Sequence, residues 1–229
     1  MATTQRTVEL TTSDGHRLAA DVAVPDGVAA ALVVCHPHPL YGGNRFNPVV
    51  GAIFDRAIEA GFAALRFDFR REHGGGIAER ADVIAAVDEL AAVVDGPVFV
   101  AGYSFGAAVA LTTVDDRIAG LVAVAPPLAM ISVSAPTVPA LVIAPRHDQI
   151  TDIETVTETV ADWPNAELEI LPSADHFLAG HTTPVADLTV TWLHSNLDPR
   201  NGSGQTRSVP AGEGRQPMSS STNSSNTVA

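Results

Sequence analysis

The chain has 229 residues, 46% of them apolar, with a formal net charge of −13 at pH 7. That length and apolar share suffice for one packed domain, and the charge argues against nucleic acid or an anionic membrane as partner. All 13 basic residues are arginine, so lysine-based Schiff-base or nucleophile chemistry is excluded.

Val8 and Leu10 share a face, Asp14-Gly15 is a turn signal, and Leu18, Ala20, Val22 and Val24 alternate after it. This predicts an antiparallel opening hairpin. The apolar run 29–35 predicts a strand buried on both faces, ending in the loop His36-Pro-His-Pro-Leu-Tyr-Gly-Gly-Asn44. Asn47 as N-cap and Pro48 as first helical residue open a helix with the stripe Val50, Ile53, Phe54, Ala57 and Ile58, which Gly61 stops. A strand over 62–67, a polar Gly-rich loop over 70–76 and a helix over 79–94 follow. Strands are expected at 97–103, 118–124, 138–144 and 166–171, and helices at 107–114 and 152–161. A closing helix over 184–197 takes Thr183 as its cap.

A hairpin followed by strands alternating with helices predicts an α/β fold. Its mostly parallel, twisted sheet has about eight strands, with helices on both faces. The composition turns to Gly, Ser, Asn, Pro and Thr from about Asp198, so residues 1–197 are expected to fold and 198–229 to form a disordered tail. No apolar run approaches the length of a membrane span, and the N-terminus lacks a signal-peptide pattern. Cys35 is the single cysteine, so no internal disulfide can form and a reducing, cytoplasmic setting is expected.

The chemistry centres on Gly102-Tyr103-Ser104-Phe105-Gly106, a G-x-S-x-G between a buried strand and a small-residue helix. The string alone recurs by chance, but this context is that of a nucleophile elbow. Glycines two residues either side of Ser104 leave room for a tight, strained turn. A serine hydroxyl needs a base, and the base an orienting carboxylate. In the chain order Ser, acid, His, both should follow at later strand ends. Asp148 is the favoured acid, with Asp152 and the pair Asp115 and Asp116 as rivals. His176 is the favoured base, with His181 as runner-up. The oxyanion hole requires two N–H donors: Phe105 by elbow geometry, and a residue of the 36–44 loop. Pro37 and Pro39 have no N–H, leaving His38 and Leu40, of which His38 is preferred. The His-Pro repeat can equally stiffen this loop through ring-to-backbone bonds. No second ligand-spaced cluster accompanies it, so no metal is expected.

These residues resemble the α/β-hydrolase superfamily over about 7–197. The 36–44 loop looks like the oxyanion-side motif of small bacterial hydrolases related to dienelactone hydrolase. Arg66-Phe-Asp-Phe-Arg70 looks like their strand-end signature, and 102–106 like their elbow. The resemblance implies the triad Ser104, Asp148 and His176, and esterase-type chemistry without a cofactor. The chain departs from the pattern at Arg70-Arg71-Glu72-His73-Gly74, where relatives continue into a small-residue loop. It also carries serine where dienelactone hydrolases proper use cysteine.

Only about a dozen residues separate the strands ending at Val124 and starting at Val138, so no cap domain is expected. An open site suits small acyl esters better than long lipids, with Leu40, Tyr41, Phe105 and Met130 as its walls. Thioester or small-peptide hydrolysis uses the same machinery, and a non-catalytic binding protein on the same fold is the alternative from another class.

Overall fold

The computed structural model describes residues 2–197; the expectation for the 198–229 tail falls outside them. Eight strands form one sheet in the order β1-β2-β4-β3-β5-β6-β7-β8. The hairpin β1 (Thr3–Thr11) and β2 (Arg17–Pro25) joins antiparallel to β4 (Ala63–Phe67). From β4 onward the strands β3 (Ala31–Cys35), β5 (Val98–Tyr103), β6 (Ile118–Val124), β7 (Ala140–His147) and β8 (Ala166–Asp175) run parallel.

The strand order reverses about β3: the chain crosses from β3 to β4 on one side, then to β5 on the other. Helices after the two outgoing strands therefore diverge, and a crevice opens beyond their carboxyl ends. β5 sits at this point and is buried throughout. Its side chains alternate between two cores, as a strand buried on both faces must. Val98 and Val100 enter one core, with α2 (Arg80–Ala91), α3 (Phe105–Thr112) and α4 (Ile153–Ala161). Phe99, Ala101 and Tyr103 enter the other, with α1 (Pro48–Glu59) and α5 (Thr182–Ser195).

The sequence signals account for most boundaries. Asn47 accepts the Val49 amide at 2.9 Å and Pro48 opens α1; Gly61 follows at φ +87°. Several boundaries shift by a few residues, and three of the shifts bear on the site. Helix α3 begins at Phe105, directly after the serine, rather than at Ala107. Strand β8 continues to Asp175, which carries the chain straight into His176. Helix α5 starts at Thr182, so Thr183 lies inside its first turn and is not the cap. Pro184 fits there because first-turn amides have no intrahelical acceptor to lose. His181 holds the cap position without a capping bond; its ring instead contacts Ser173 Oγ and the Ala179 carbonyl, each at 3.0 Å.

Residues 125–137, between β6 and β7, contain no helix or strand, and among the described residues no cap domain covers the sheet. Among the described residues no helix is long and apolar enough to cross a membrane.

Candidate active site

Ser104 leaves β5 at φ +54°, ψ −116°, a conformation that costs a non-glycine residue on the order of 1–3 kcal/mol. The backbone holds it from both sides. Its amide donates to the Val124 carbonyl of β6 at 2.9 Å, and its carbonyl accepts the Ala107 amide of α3 at 2.9 Å. The two glycines serve different ends. A Cβ on Gly102 would lie 2.2 Å from the Gly106 carbonyl oxygen, inside the turn. A Cβ on Gly106 would lie 2.5 Å from the Cys35 oxygen and 2.6 Å from the His36 oxygen. Gly102 thus permits the elbow, whereas Gly106 permits α3 to press against the end of β3.

The structure brings Ser104, His176 and Asp148 together from three strand ends. His176 Nε2 lies 3.0 Å from Ser104 Oγ, and Nδ1 lies 2.8 Å from Asp148 Oδ2. Both side chains of the His–Asp pair are almost fully buried. The other Asp148 oxygen accepts the Ile150 amide at 2.7 Å and the Thr151 amide at 3.2 Å. With the carboxylate accepting at Nδ1, the ring proton sits there and Nε2 is free to accept from the serine. The rivals are occupied elsewhere: Asp152 caps α4 through the Thr155 amide, and Asp115 pairs with Arg117.

Two residues that sequence reasoning did not single out fix the base. The Tyr103 hydroxyl donates to the His176 carbonyl at 2.8 Å, and the His176 amide donates to Gln149 Oε1 at 3.3 Å. Burial pushes the Tyr103 phenol up to about 12, so it remains a donor at neutral pH. Tyr103 was visible as the variable residue before the serine; nothing in the sequence pointed it at the histidine loop.

The 36–44 loop is stiffened as its His-Pro repeat allows. His36 is buried; its Nδ1 faces the Pro37 carbonyl at 2.6 Å and its Nε2 accepts the Phe69 amide at 2.9 Å. Burial holds its pKa below the ordinary histidine value, so the ring is a neutral strut. His38 Nδ1 accepts the Leu40 amide at 3.2 Å, which leaves His38 as the loop's earliest unengaged backbone donor candidate. The 66–70 signature secures the same loop: Asp68 accepts the Arg45 amide at 2.8 Å and pairs with its guanidinium. Arg66 and Arg45 both reach Asp21 on β2.

A cavity of about 530 Å³ lies beside Ser104. Tyr41, Phe105 and Met130 line it as expected; Leu40 does not and stands 71% exposed. Leu40 and Tyr41 are successive residues of one 3₁₀ turn, Pro39–Tyr41, where neighbours point about 120° apart. A further wall comes from the loop between β4 and α2, with His73, Gly76 and Ile77, and from Arg80, the first residue of α2. That loop is tied down by two buried carboxylates. Glu79 accepts the Gly74 amide at 2.7 Å and the Gly76 amide at 2.9 Å, and meets His73 Nδ1 at 2.9 Å. Asp82 receives the Arg70 backbone amide and guanidinium, which also reaches Asp14. Among the described residues no group of three or more His, Cys, Asp or Glu is placed to hold a metal.

No protein-family model matches the chain. An uncharacterized protein of Rickettsia prowazekii is 29% identical over 208 residues, covering 79% of this chain and 86% of its own. Among solved structures, an α/β serine hydrolase homologue from Coxiella burnetii is 26% identical with a TM-score of 0.73, covering 82% of this chain and 97% of its own. A hypothetical α/β hydrolase from Agrobacterium tumefaciens has a TM-score of 0.77 at 26% identity, covering 84% and 96%. A serine hydrolase without a lid from Xanthomonas campestris has a TM-score of 0.77 at 25% identity, covering 86% and 97%. With the reversed strand order, the strained serine after β5 and these likenesses, the chain is a member of the α/β-hydrolase superfamily, with no cap domain among the described residues.

Proposed function

We propose that the protein is a serine hydrolase that cleaves small carboxylic esters through an acyl-enzyme intermediate. The observation that carries the reading is one buried imidazole bonded at one nitrogen to Ser104 and at the other to Asp148. Ser104 Oγ attacks the ester carbonyl while His176 Nε2 takes its proton. The carbonyl π electrons move to oxygen, and Asp148 stabilises the imidazolium through Nδ1–H. His176 then protonates the departing alcohol as the C–O bond breaks, leaving the acyl group on Ser104. Water repeats the sequence, giving its proton to His176, and the acid departs as serine recovers its proton.

The oxyanion formed in both halves needs N–H donors. We assign these to Phe105 and His38. Phe105 is the first residue of α3, so its amide has no intrahelical acceptor. The end of β3 is held against α3 at Gly106, which keeps the His38 loop beside the elbow. The uncovered site and a cavity of about 530 Å³ favour small acyl groups over long lipids. The fluorophosphonate reaction tests the reading. Wild type should be labelled, and Ser104→Ala and His176→Ala should not. A folded wild type that fails to label would remove the catalytic reading in favour of a binding protein.

A further inference from the structure

The cavity beside Ser104 runs against the charge of the chain around it. The protein has 26 acidic residues against 13 arginines, yet among the described residues no Asp or Glu lines this cavity, whereas Arg80, His38 and His73 do. Seven of the ten arginines among the described residues have a carboxylate within ion-pair distance: Arg6, Arg17, Arg45, Arg56, Arg66, Arg70 and Arg117. Arg71 and Arg146 are exposed. Arg80 is half-buried and makes no ion pair among the described residues. Its Nε donates to the Ile77 carbonyl at 3.1 Å and its Nη1 to the Thr112 carbonyl at 3.4 Å. These are two of the five N–H donors of a guanidinium. The adjacent Glu79 is turned to Gly74, Gly76 and His73.

Position sharpens the assignment. Arg80, Thr112 and Ser132 also border a second cavity, and there Asp115 and Asp116 line the wall. An anion is therefore favoured on the Ser104 side of the guanidinium. Thr112 ends α3, eight residues after Ser104, or about 12 Å along a helix. A carboxylate accepting from Arg80 would stop about 3 Å short. The remaining span of about 9 Å is seven or eight bonds of extended chain, at about 1.2 Å per bond. Ile77, Ala108, Met130, Ile131 and Ile150 line the cavity and suit an alkyl spacer.

Resting on the serine-hydrolase reading, we propose that this cavity takes esters that carry a carboxylate about seven bonds from the scissile carbonyl, held by Arg80. One fixed positive charge suits a monoanion, and the planar guanidinium matches a carboxylate.

The experiment compares p-nitrophenyl octanoate with p-nitrophenyl hydrogen suberate, which has the same acyl length with a terminal carboxylate. Both are measured on wild type and Arg80→Gln. A second arm compares hexyl acetate with the acetate ester of 6-hydroxyhexanoic acid, followed by proton release, and tells whether the anion belongs to the acyl or the alcohol half. The charged-to-neutral ratio of kcat/KM should fall roughly tenfold or more in Arg80→Gln in one arm, as expected for losing a charge-assisted hydrogen bond. A ratio that moves by less than about twofold in both arms, with melting unchanged, overturns the proposal. Wild type that hydrolyses no neutral ester would instead sink the hydrolase reading. Calorimetric titration of Ser104→Ala with methyl hydrogen suberate, a monoanion that this variant leaves intact, then decides the cavity on its own: binding lost on adding Arg80→Gln supports it, and binding absent without that change or equal in both refutes it.

Discussion

Replacing Gly106 with alanine separates the chemistry of the elbow from its fit against β3. The native backbone at Gly106 is not left-handed, so alanine brings no dihedral strain and acts through contact alone. Its Cβ would stand 2.5 Å from the Cys35 oxygen and 2.6 Å from the His36 oxygen, where real Cβ atoms stay beyond 3.0 Å and ordinary contact begins at 3.4 Å. The shortfall is therefore about 0.5–0.9 Å. Both atoms are backbone, so it can be met only by moving α3 away from the end of β3. That shift separates the Phe105 amide from the loop carrying the His38 amide, while Ser104, His176 and Asp148 keep their connections. A misplacement approaching 1 Å costs on the order of 100-fold in rate, and overpacking costs about 1–3 kcal/mol of stability. At about 2–4 °C per kcal/mol for a domain of this size, melting should drop by several degrees. The assay is kcat/KM on p-nitrophenyl acetate beside a thermal melt, with fluorophosphonate labelling to show that Ser104 stays reactive. Activity within about twofold of wild type and an unchanged melt would refute the close-approach argument, and with it the reason given for the second glycine.

Two further outcomes follow from buried polar groups. Arg70→Leu leaves the fully buried Asp82 carboxylate without its cation and should cost about 3–5 kcal/mol. The double variant Arg70→Leu/Asp82→Leu should recover much of that loss in denaturant melts, and no recovery would mean that packing, not the stranded charge, set the cost. His36 supplies a pH dependence. Burial lowers its folded pKa below the ordinary value of about 6.5, so the unfolded chain takes up the proton first as pH falls. Stability is then complete above about pH 7 and declines through 6.5, by at most about 1.4 kcal/mol per pH unit, until the folded ring protonates too. His36→Gln keeps an acceptor for the Phe69 amide but does not titrate. Its melting temperature should therefore fall less than wild type's between pH 7.5 and 5.5, and equal slopes would rule out the neutral strut.

The element order was legible because it rests on local rules. Asp14-Gly15 closes the hairpin, Asn47-Pro48 opens α1, and continuous apolar runs mark strands buried on both faces. Ser104, Asp148 and His176 were legible for a related reason: each follows an expected strand, and parallel strands deliver their ends to one edge. The misses are contacts between segments far apart in sequence. Leu40 and Tyr41 looked equivalent until one turn separated them. Gly106 looked like part of the serine turn until β3 arrived against it. The sequence showed a polar loop over 70–76 and a helix over 79–94, but not that Arg70, Glu79 and Asp82 are buried and that Arg80 lines the cavity.

The sequence by itself thus determined the order of strands and helices, the elbow and the three residues that meet at it. Periodicity, capping and turn chemistry act over a few residues and need no partner. Only the tertiary structure decided which charges are neutralised. An ion pair depends on distances between segments that meet only in the fold, and among the described residues seven arginines found carboxylates while Arg80, on the wall of the cavity at Ser104, did not.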